Sequence, residues 1–263
     1  MTTLDIRRPS PFVAEVYLNR PEVRNAFNDA VIGELTAAFT QLGADPNLRA
    51  IVLGGHGKAF CAGADLGWMR AMADYDWEQN RADAQGLADM LWAIDSCPLP
   101  LVGRIHGDCF AGGVGLAAVC DVRVAAERVQ FCLSEAKLGL LPATIGPYVI
   151  RALGEPASRR YFVTAERFDA ATAKALGFVH EVVAADMLDA KVAEIVAALV
   201  ANGPAAVKAC KRLVRDLAGR PIDSALRADT ASRIADVRAS AEGREGVQSF
   251  LNKRAPPWQP TTP

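Results

Sequence analysis

Two glycine-rich turns carry the chemistry in this sequence. Residues 58–66 read KAFCAGADL and residues 111–121 read AGGVGLAAVCD. Each follows a strand-like apolar run and leads into a helix-like one, so each places small residues and bare backbone at the mouth of a helix. Glycine costs conformational entropy, and its recurrence at Gly112, Gly113 and Gly115 means that unobstructed backbone is needed there. The turns offer unencumbered N–H groups at Ala64 and Gly112, and a helix N-terminus favours negative charge. Two such donors aimed at one oxygen make an oxyanion hole, which stabilises a carbonyl oxygen as it becomes negative. A merely close-packed turn would explain either segment alone. Their joint occurrence points to chemistry.

Other uses of glycine fit less well. GGHGKAF (54–60) resembles a P-loop, but Val52 stands where that loop needs its first glycine and Ala59 where it needs a hydroxyl. GVGLAA (113–118) matches G-x-G-x-x-A, and Glu135 even lies at the distance of a ribose-binding acid. The next strand candidate begins near Cys120, however, which leaves too little chain for the crossover helix of a βαβ unit.

The elements that must hold these turns alternate. FVAEVYLN (12–19), AIVLGG (50–55) and PLVGRIHG (100–107) read as strands, with helical stretches over 30–42 and 85–96, the second ended by Pro98. That rhythm is the rhythm of an α/β core. Asp65 is placed to cap a helix through LGWMRAM. Shorter strand candidates follow at 120–126, 129–133 and 178–183. From about Asp186 the pattern is helical, with Leu188, Val192, Ile195 and Leu199 on one face, a stop at ANGP, and further helices near 205–218 and 222–240. The tail FLNKRAPPWQP reads as irregular. The expected division is a core over 1–195 and a C-terminal helical region over 196–263.

Composition narrows the function classes. The 263 residues, 51% of them hydrophobic, can bury a full core. Lysine plus arginine (29) nearly balance aspartate plus glutamate (30), which argues against a nucleic-acid binder. No apolar segment approaches the roughly 20 residues of a membrane span, and the N-terminus has no signal-like apolar core, so a cytoplasmic protein without membrane contact is expected. Cys61, Cys97, Cys109, Cys120, Cys132 and Cys210 form no C-x-x-C pair, and there is no H-E-x-x-H; reduced core thiols and no metal site are expected. His56 and His106 lie near strand ends and read as polar turn residues.

Along nearly its whole length the sequence resembles the crotonases, the enoyl-CoA hydratase/isomerase superfamily. The blocks that carry the resemblance are LNRPEVRNAFN (18–28), KAFCAGADL, GDCFAGGVGLAAVCDVRVAAE (107–127), FCLSEAKLGLLPATIGPYVIRALG (131–154), AERFDAATAKALGFVHEVV (165–183) and EGVQSFLNKRAPPW (245–258). The resemblance implies a crotonase-like spiral of ββα repeats with a C-terminal helical region that builds trimers, often paired into hexamers. It implies an acyl-CoA thioester substrate, with no cofactor beyond the CoA carried by that substrate. By position, the N–H groups of Ala64 and Gly112 would hold the thioester oxygen. Arg24 would approach the nucleotide phosphates, and Ala26, Ala62, Asp65 and Leu66 would contact CoA mainly through backbone. Phe250 and Lys253 match a C-terminal part of the CoA pocket that sometimes comes from a neighbouring subunit.

Hydratases of this family commonly use two glutamates. The place of the first is Gly115 here, and the second maps onto Glu135 in LSEAKLG. A carboxyl desolvated there would exchange protons near neutral pH. One glutamate suffices for a Δ3–Δ2-enoyl-CoA isomerase, whereas in a hydratase it would have to serve both water and the Cα proton. The finer resemblance, in GGVGL and RRYFVTAERFDA, is to bacterial methylglutaconyl-CoA hydratases and their isoprenoid-chain relatives, and favours hydration. A dicarboxylic acyl group would call for a cation, with Arg70 and Arg151 as candidates, and GWMRAMADYDW (67–77) could wall the acyl pocket. Asp108 is a weaker candidate for a replacement acid. A non-catalytic acyl-CoA-binding protein is the alternative of another class, and the RNA-binding role of a eukaryotic relative is disfavoured by the balanced charge.

Overall fold

Apolar runs buried on both faces become parallel strands. In the computed structural model, which describes residues 2–259, Ala50–Gly55 is buried at every position and forms β3. It lies between β2 (Val13–Leu18) and β5 (Leu101–Ile105), followed by β7 (Val122–Ala126) and β10 (Glu181–Val183), all parallel. β1 (Leu4–Ser10) closes the edge antiparallel to β2 and completes a six-stranded sheet. A second, four-stranded sheet holds β4 (Ala59–Cys61), β6 (Asp108–Phe110), β8 (Gln130–Cys132) and β9 (Arg167–Asp169) in that order.

The two sheets are threaded together. β3 continues into β4, β5 into β6 and β7 into β8, so each winding of the chain gives one longer strand to the first sheet and one short strand to the second. Helices separate the windings: α1 (Asp29–Gly43) before β3, α2 (Leu66–Met72) and α3 (Trp77–Asp95) before β5, and α4 (Gly112–Ala118) before β7. This is the spiral of ββα repeats that the resemblance implied. Phe27, Phe39, Phe60, Phe131 and Phe178 are fully buried within it.

After β8 the chain runs through α5 (Gly146–Leu153) and α6 (Glu155–Thr164), then β9, α7 (Ala170–Ala175) and β10. α8 (Leu188–Ala201) buries Leu188, Val192 and Val200 and packs on β5 and β7. Residue 195, the expected end of the core, lies inside this unbroken helix. α9 (Pro204–Leu217) buries no residue, α10 (Ser224–Ala239) buries only Leu226, and α11 (Ala241–Leu251) buries only Ser249. Glu242 ties α11 to the start of α9 by accepting the N–H groups of Ala205 (3.0 Å) and Ala206 (2.8 Å).

Three elements differ from the sequence reading for physical reasons. β1 was not expected, because LDIRRPS is an edge strand rich in charge whose apolar alternation is confined to Leu4 and Ile6. α3 begins at Trp77 rather than 85, since its first two turns are exposed all round and announced only by the Asp76–Gln79 capping box. The stretch 222–240 is followed by α11, started by Ser240 accepting the Gly243 N–H, so Phe250 and Leu251 of the supposedly irregular tail are helical. Residues 260–263 of that tail lie outside the described residues.

One buried amide joins the first windings. Asn25 is 1% exposed, accepts the Arg20 N–H through Oδ1 (3.0 Å) and donates through Nδ2 to the carbonyls of His56 (2.8 Å) and Ala59 (2.9 Å). Asn25→Ala strips three partners at once and is expected to cost about 2–4 kcal/mol. Thermal unfolding should fall by about 5–10 °C for a chain of this size, and an unchanged midpoint would show that water replaces the amide freely.

Candidate active site

The three parts of the site stand at the ends of adjacent parallel strands. β4, β6 and β8 are neighbours, with Cys61 opposite Cys109 and Phe110 opposite Cys132. β4 leads to the Ala64 turn, β6 to the Gly112 turn and β8 to Glu135. Ligands gather at the carboxyl ends of parallel strands because that is where turns and helix N-termini converge.

Ala64 is presented by a single parallel bridge to Phe27. Phe27 donates its N–H to the Gly63 carbonyl (2.7 Å), and Asp65 donates its N–H to the Phe27 carbonyl (2.7 Å). Those bonds flank Ala64, so its own N–H points away from Phe27. Among the described residues it has no acceptor.

Gly112 is presented by strain. Ala111 has φ 47° and ψ −120°, a conformation that a residue with a Cβ rarely takes, and its N–H is anchored to the Cys132 carbonyl at 2.8 Å. The following N–H, that of Gly112, likewise has no acceptor among the described residues. A Cβ at Gly112 would lie 2.4 Å from the Phe27 ring, so no other residue fits. Gly63 (φ 92°) lets the turns meet: a Cβ there would lie 2.9 Å from that of Ala111. Phe27 therefore touches both donors' turns.

Glu135 opens a 3-10 turn, Glu135–Leu138, directly after β8. Burial raises its carboxyl above the ordinary glutamate range, opposed in part by its own backbone N–H. Its Oε2 is buried and has no hydrogen-bond partner among the described residues.

The CoA-side residues fall into two groups. Ala62 donates its N–H to the Arg24 carbonyl (3.0 Å), bringing the NRPEVRNA segment against the Ala64 turn. Arg20, which the sequence reading did not single out, bonds the Ala26 carbonyl (2.8 Å) and Asp65 Oδ2 (2.9 Å). Asp65 caps α2 as expected, accepting the N–H groups of Gly67 (2.7 Å) and Trp68 (3.3 Å). Burial pushes its carboxyl up, but these bonds and Arg20 outweigh that and hold it below the ordinary range. The Arg24 side chain and Leu66 are exposed beside this turn. Phe250, 83% exposed, and Lys253 belong instead to α11 and its end, which pack on α9 and α10.

Several other candidates are placed elsewhere. Arg151 pairs with Asp95 (3.6 Å) and lines a cavity of about 990 Å³ with Val119 and Cys120, beyond the far end of α4 from Gly112. Arg70 lies exposed on α2. Trp68 donates to Asp83 (2.9 Å) and packs on the core, while Trp77 is exposed, so the aromatic stretch is only partly a wall. Asp108 begins β6, at the end opposite Gly112. His56 pairs with Asp5 (2.9 Å) and stacks on Tyr17, and His106 meets the Gly57 carbonyl (3.1 Å). All six cysteines are unpaired, and Cys210 is exposed rather than in the core. No cluster among the described residues could hold a metal ion, and no single helix among them is long and apolar enough to cross a membrane.

Residues missed from sequence, Arg20 and Phe27, act through contacts with distant segments. Only Arg20 had a local signal, as part of the polar stretch around RPEVRN.

The raised Glu135 carboxyl makes a signed prediction. Its folded value lies above its unfolded value, so burial costs nothing below the unfolded value and costs stability as pH rises through the folded one. Glu135→Gln should therefore raise the unfolding midpoint at neutral pH, with the gain shrinking as pH falls through the raised folded value toward the ordinary carboxylate range and gone below it. A gain that is independent of pH would mean that ionisation is not its source.

Comparison with known proteins agrees with this geometry. The family model for enoyl-CoA hydratase/isomerase matches residues 10–261. A crystal structure of an enoyl-CoA hydratase from Shewanella pealeana is similar at 41% identity and TM-score 0.94, covering 97% of this chain and 96% of that one. One from Mycobacterium smegmatis is similar at 36% identity and TM-score 0.93, covering 98% and 99%. Enoyl-CoA hydratase EchA19 of Mycobacterium tuberculosis is 31% identical over 245 residues, 93% of this chain and 92% of the relative. With its two acceptorless N–H groups and its spiral fold, the chain belongs to the enoyl-CoA hydratase/isomerase family and is an enzyme of the hydratase kind.

Proposed function

We propose that the chain adds water across the 2,3 double bond of an enoyl-CoA, with Glu135 as the acid/base and the N–H groups of Ala64 and Gly112 as the oxyanion hole. The observation that carries this reading is the buried, unpartnered Oε2 of Glu135 at the strand end beside the Gly112 turn. The thioester oxygen accepts the two N–H groups, which draws electrons from Cβ. Ionised Glu135 takes a proton from water as the oxygen adds to Cβ, and the electron pair of the double bond moves through Cα onto the thioester oxygen. Glu135 then returns the proton to Cα. The sum is enoyl-CoA plus water giving 3-hydroxyacyl-CoA, with no cofactor beyond the CoA of the substrate.

The acyl group of this reading is branched, with 3-methylglutaconyl-CoA as the first substrate to test and Arg70 or Arg151 as the cation for its distal carboxylate. Arg24, Ala26, Ala62, Asp65 and Leu66 border the CoA side. The chain works as a trimer or a dimer of trimers: Val214 (70%), Ile222 (86%), Phe250 (83%) and Leu251 (70%) stand in water on the C-terminal helices. In that assembly Phe250 and Lys253 reach the CoA of a neighbouring subunit. The unpaired thiols favour a reducing compartment such as the cytoplasm.

A single carboxylate also supports isomerisation, in which Glu135 removes a proton from Cα of a 3-enoyl thioester and returns it at Cγ. A non-catalytic CoA carrier would have no use for a buried unpaired carboxylate, which costs stability. Absorbance of the conjugated enoyl thioester separates the readings. Loss of the band with 3-methylglutaconyl-CoA is the expected result, and a band that only rises with a 3-enoyl-CoA would make the enzyme an isomerase. Glu135→Gln should abolish turnover with CoA binding retained; near-normal turnover would remove Glu135 from the mechanism. Losing one hole donor typically costs about 100-fold or more, and Gly112→Ala, whose Cβ meets the Phe27 ring and displaces the N–H, should lose activity on that order.

A further inference from the structure

Two apolar side chains stand directly over two bare Cα atoms of α4. Gly112 and Gly115 are three residues apart, hence about 4.5 Å along the axis and on the same side of the helix. Phe27 covers the first. Over the second, a Cβ on Gly115 would lie 2.2 Å from Cγ2 and 2.7 Å from Cβ of Ile145. Ile145 is 2% exposed at the start of α5, and its carbonyl accepts the N–H groups of Tyr148 (3.1 Å) and Val149 (3.0 Å), so its backbone is fixed. Its γ-methyl fills the volume into which any side chain at 115 would project.

That volume borders the reacting carbons. With the thioester oxygen on the Gly112 N–H, Cα and Cβ of the acyl group are two and three bonds away, within one helical turn of α4. A group projecting from 115 would reach them, and hydrocarbon from α5 stands there instead.

We propose that Ile145 is a specificity-determining residue: it walls the acyl site at Gly115 with hydrocarbon, excludes any second side-chain acid from that wall, and sets the branching that fits beside Cβ. The proposal rests on the reaction proposed above. It makes the bare Cα of Gly115 and the bulk of Ile145 two halves of one feature. Neither changes without the other.

The test is a cycle of Gly115→Ala, Ile145→Ala and the double variant. Thermal unfolding is read on each, and kcat/KM is measured for a straight-chain 2-enoyl-CoA and for its 3-methyl-branched counterpart. Gly115→Ala alone should lower the unfolding midpoint through its clash, and much less so in the Ile145→Ala background; equal losses in both would overturn the shared volume. Ile145→Ala should change the branched-to-straight ratio of kcat/KM by about 10-fold or more, as pockets do when methylenes are removed. A lower midpoint with an unchanged ratio would make Ile145 a packing residue and sink the proposal. If wild-type protein hydrates neither substrate, the reaction fails and not the wall: the ratio is then read from calorimetric binding of the two saturated acyl-CoA esters, with the same outcomes.

Discussion

The hydrogen bond from Ala111 N–H to the Cys132 carbonyl is the joint on which the site depends. It crosses from the end of β6 to the end of β8 at 2.8 Å and holds Ala111 at positive φ, a conformation that costs of order 1–3 kcal/mol where a Cβ is present. The strain turns the next peptide so that the Gly112 N–H has no acceptor among the described residues. The same bond fixes β8, and with it Glu135, against the donor that it must serve. An oxyanion hole works because its dipoles need no rearrangement when charge develops, and in the proposed reaction that rearrangement has been done in folding.

Charge is sparse where chemistry is expected. The donors are neutral backbone dipoles, and the one ionisable group, Glu135, is held above its ordinary range by burial. The nearby charges of Arg20 and Asp65 neutralise each other at 2.9 Å and serve to bind the Phe27–Asp65 region together. A cation in the hole would stabilise the thioester oxygen before and after reaction alike; oriented N–H groups without acceptors favour the charged intermediate more selectively. The stability cost falls on three groups that nothing among the described residues satisfies: two N–H donors and one carboxylate oxygen.

Features made within one stretch of chain were legible in the sequence. The turns, the Asp65 cap and the strand–helix alternation depend on neighbours a few residues away, and β3 was bounded to the residue because it is apolar throughout. Features made by contact across the chain were not. Phe27 reads as an ordinary core aromatic, yet it shapes both donor turns from 36 and 84 residues before Gly63 and Ala111. Ile145 sits in PATIGPYV with no local mark of its 30-residue reach back to Gly115. Arg151 shows the same limit: its type suited a carboxylate partner, and its pairing with Asp95 at 3.6 Å is made by contact across the chain.

Backbone donors also explain why this architecture can host different reactions. An N–H belongs to every residue but proline, so the hole constrains the sequence only by exclusion: no Cβ at Gly112, a small residue at Ala64, and a partner for Ala111. Side-chain acids are free to vary around it. At 115 the sequence shows an absence, which taken alone reads as a lost catalytic group. The structure shows that absence filled by Ile145, with the α4 backbone continuous beneath it and the hole intact one turn away. The number of acids beside the substrate is therefore set by which side chains occupy one small volume, and the polarisation of the thioester is set by the strands. The two can change independently, because the packing that fixes the donors lies on Phe27 and Cys132 while the packing that fixes the wall lies on Ile145.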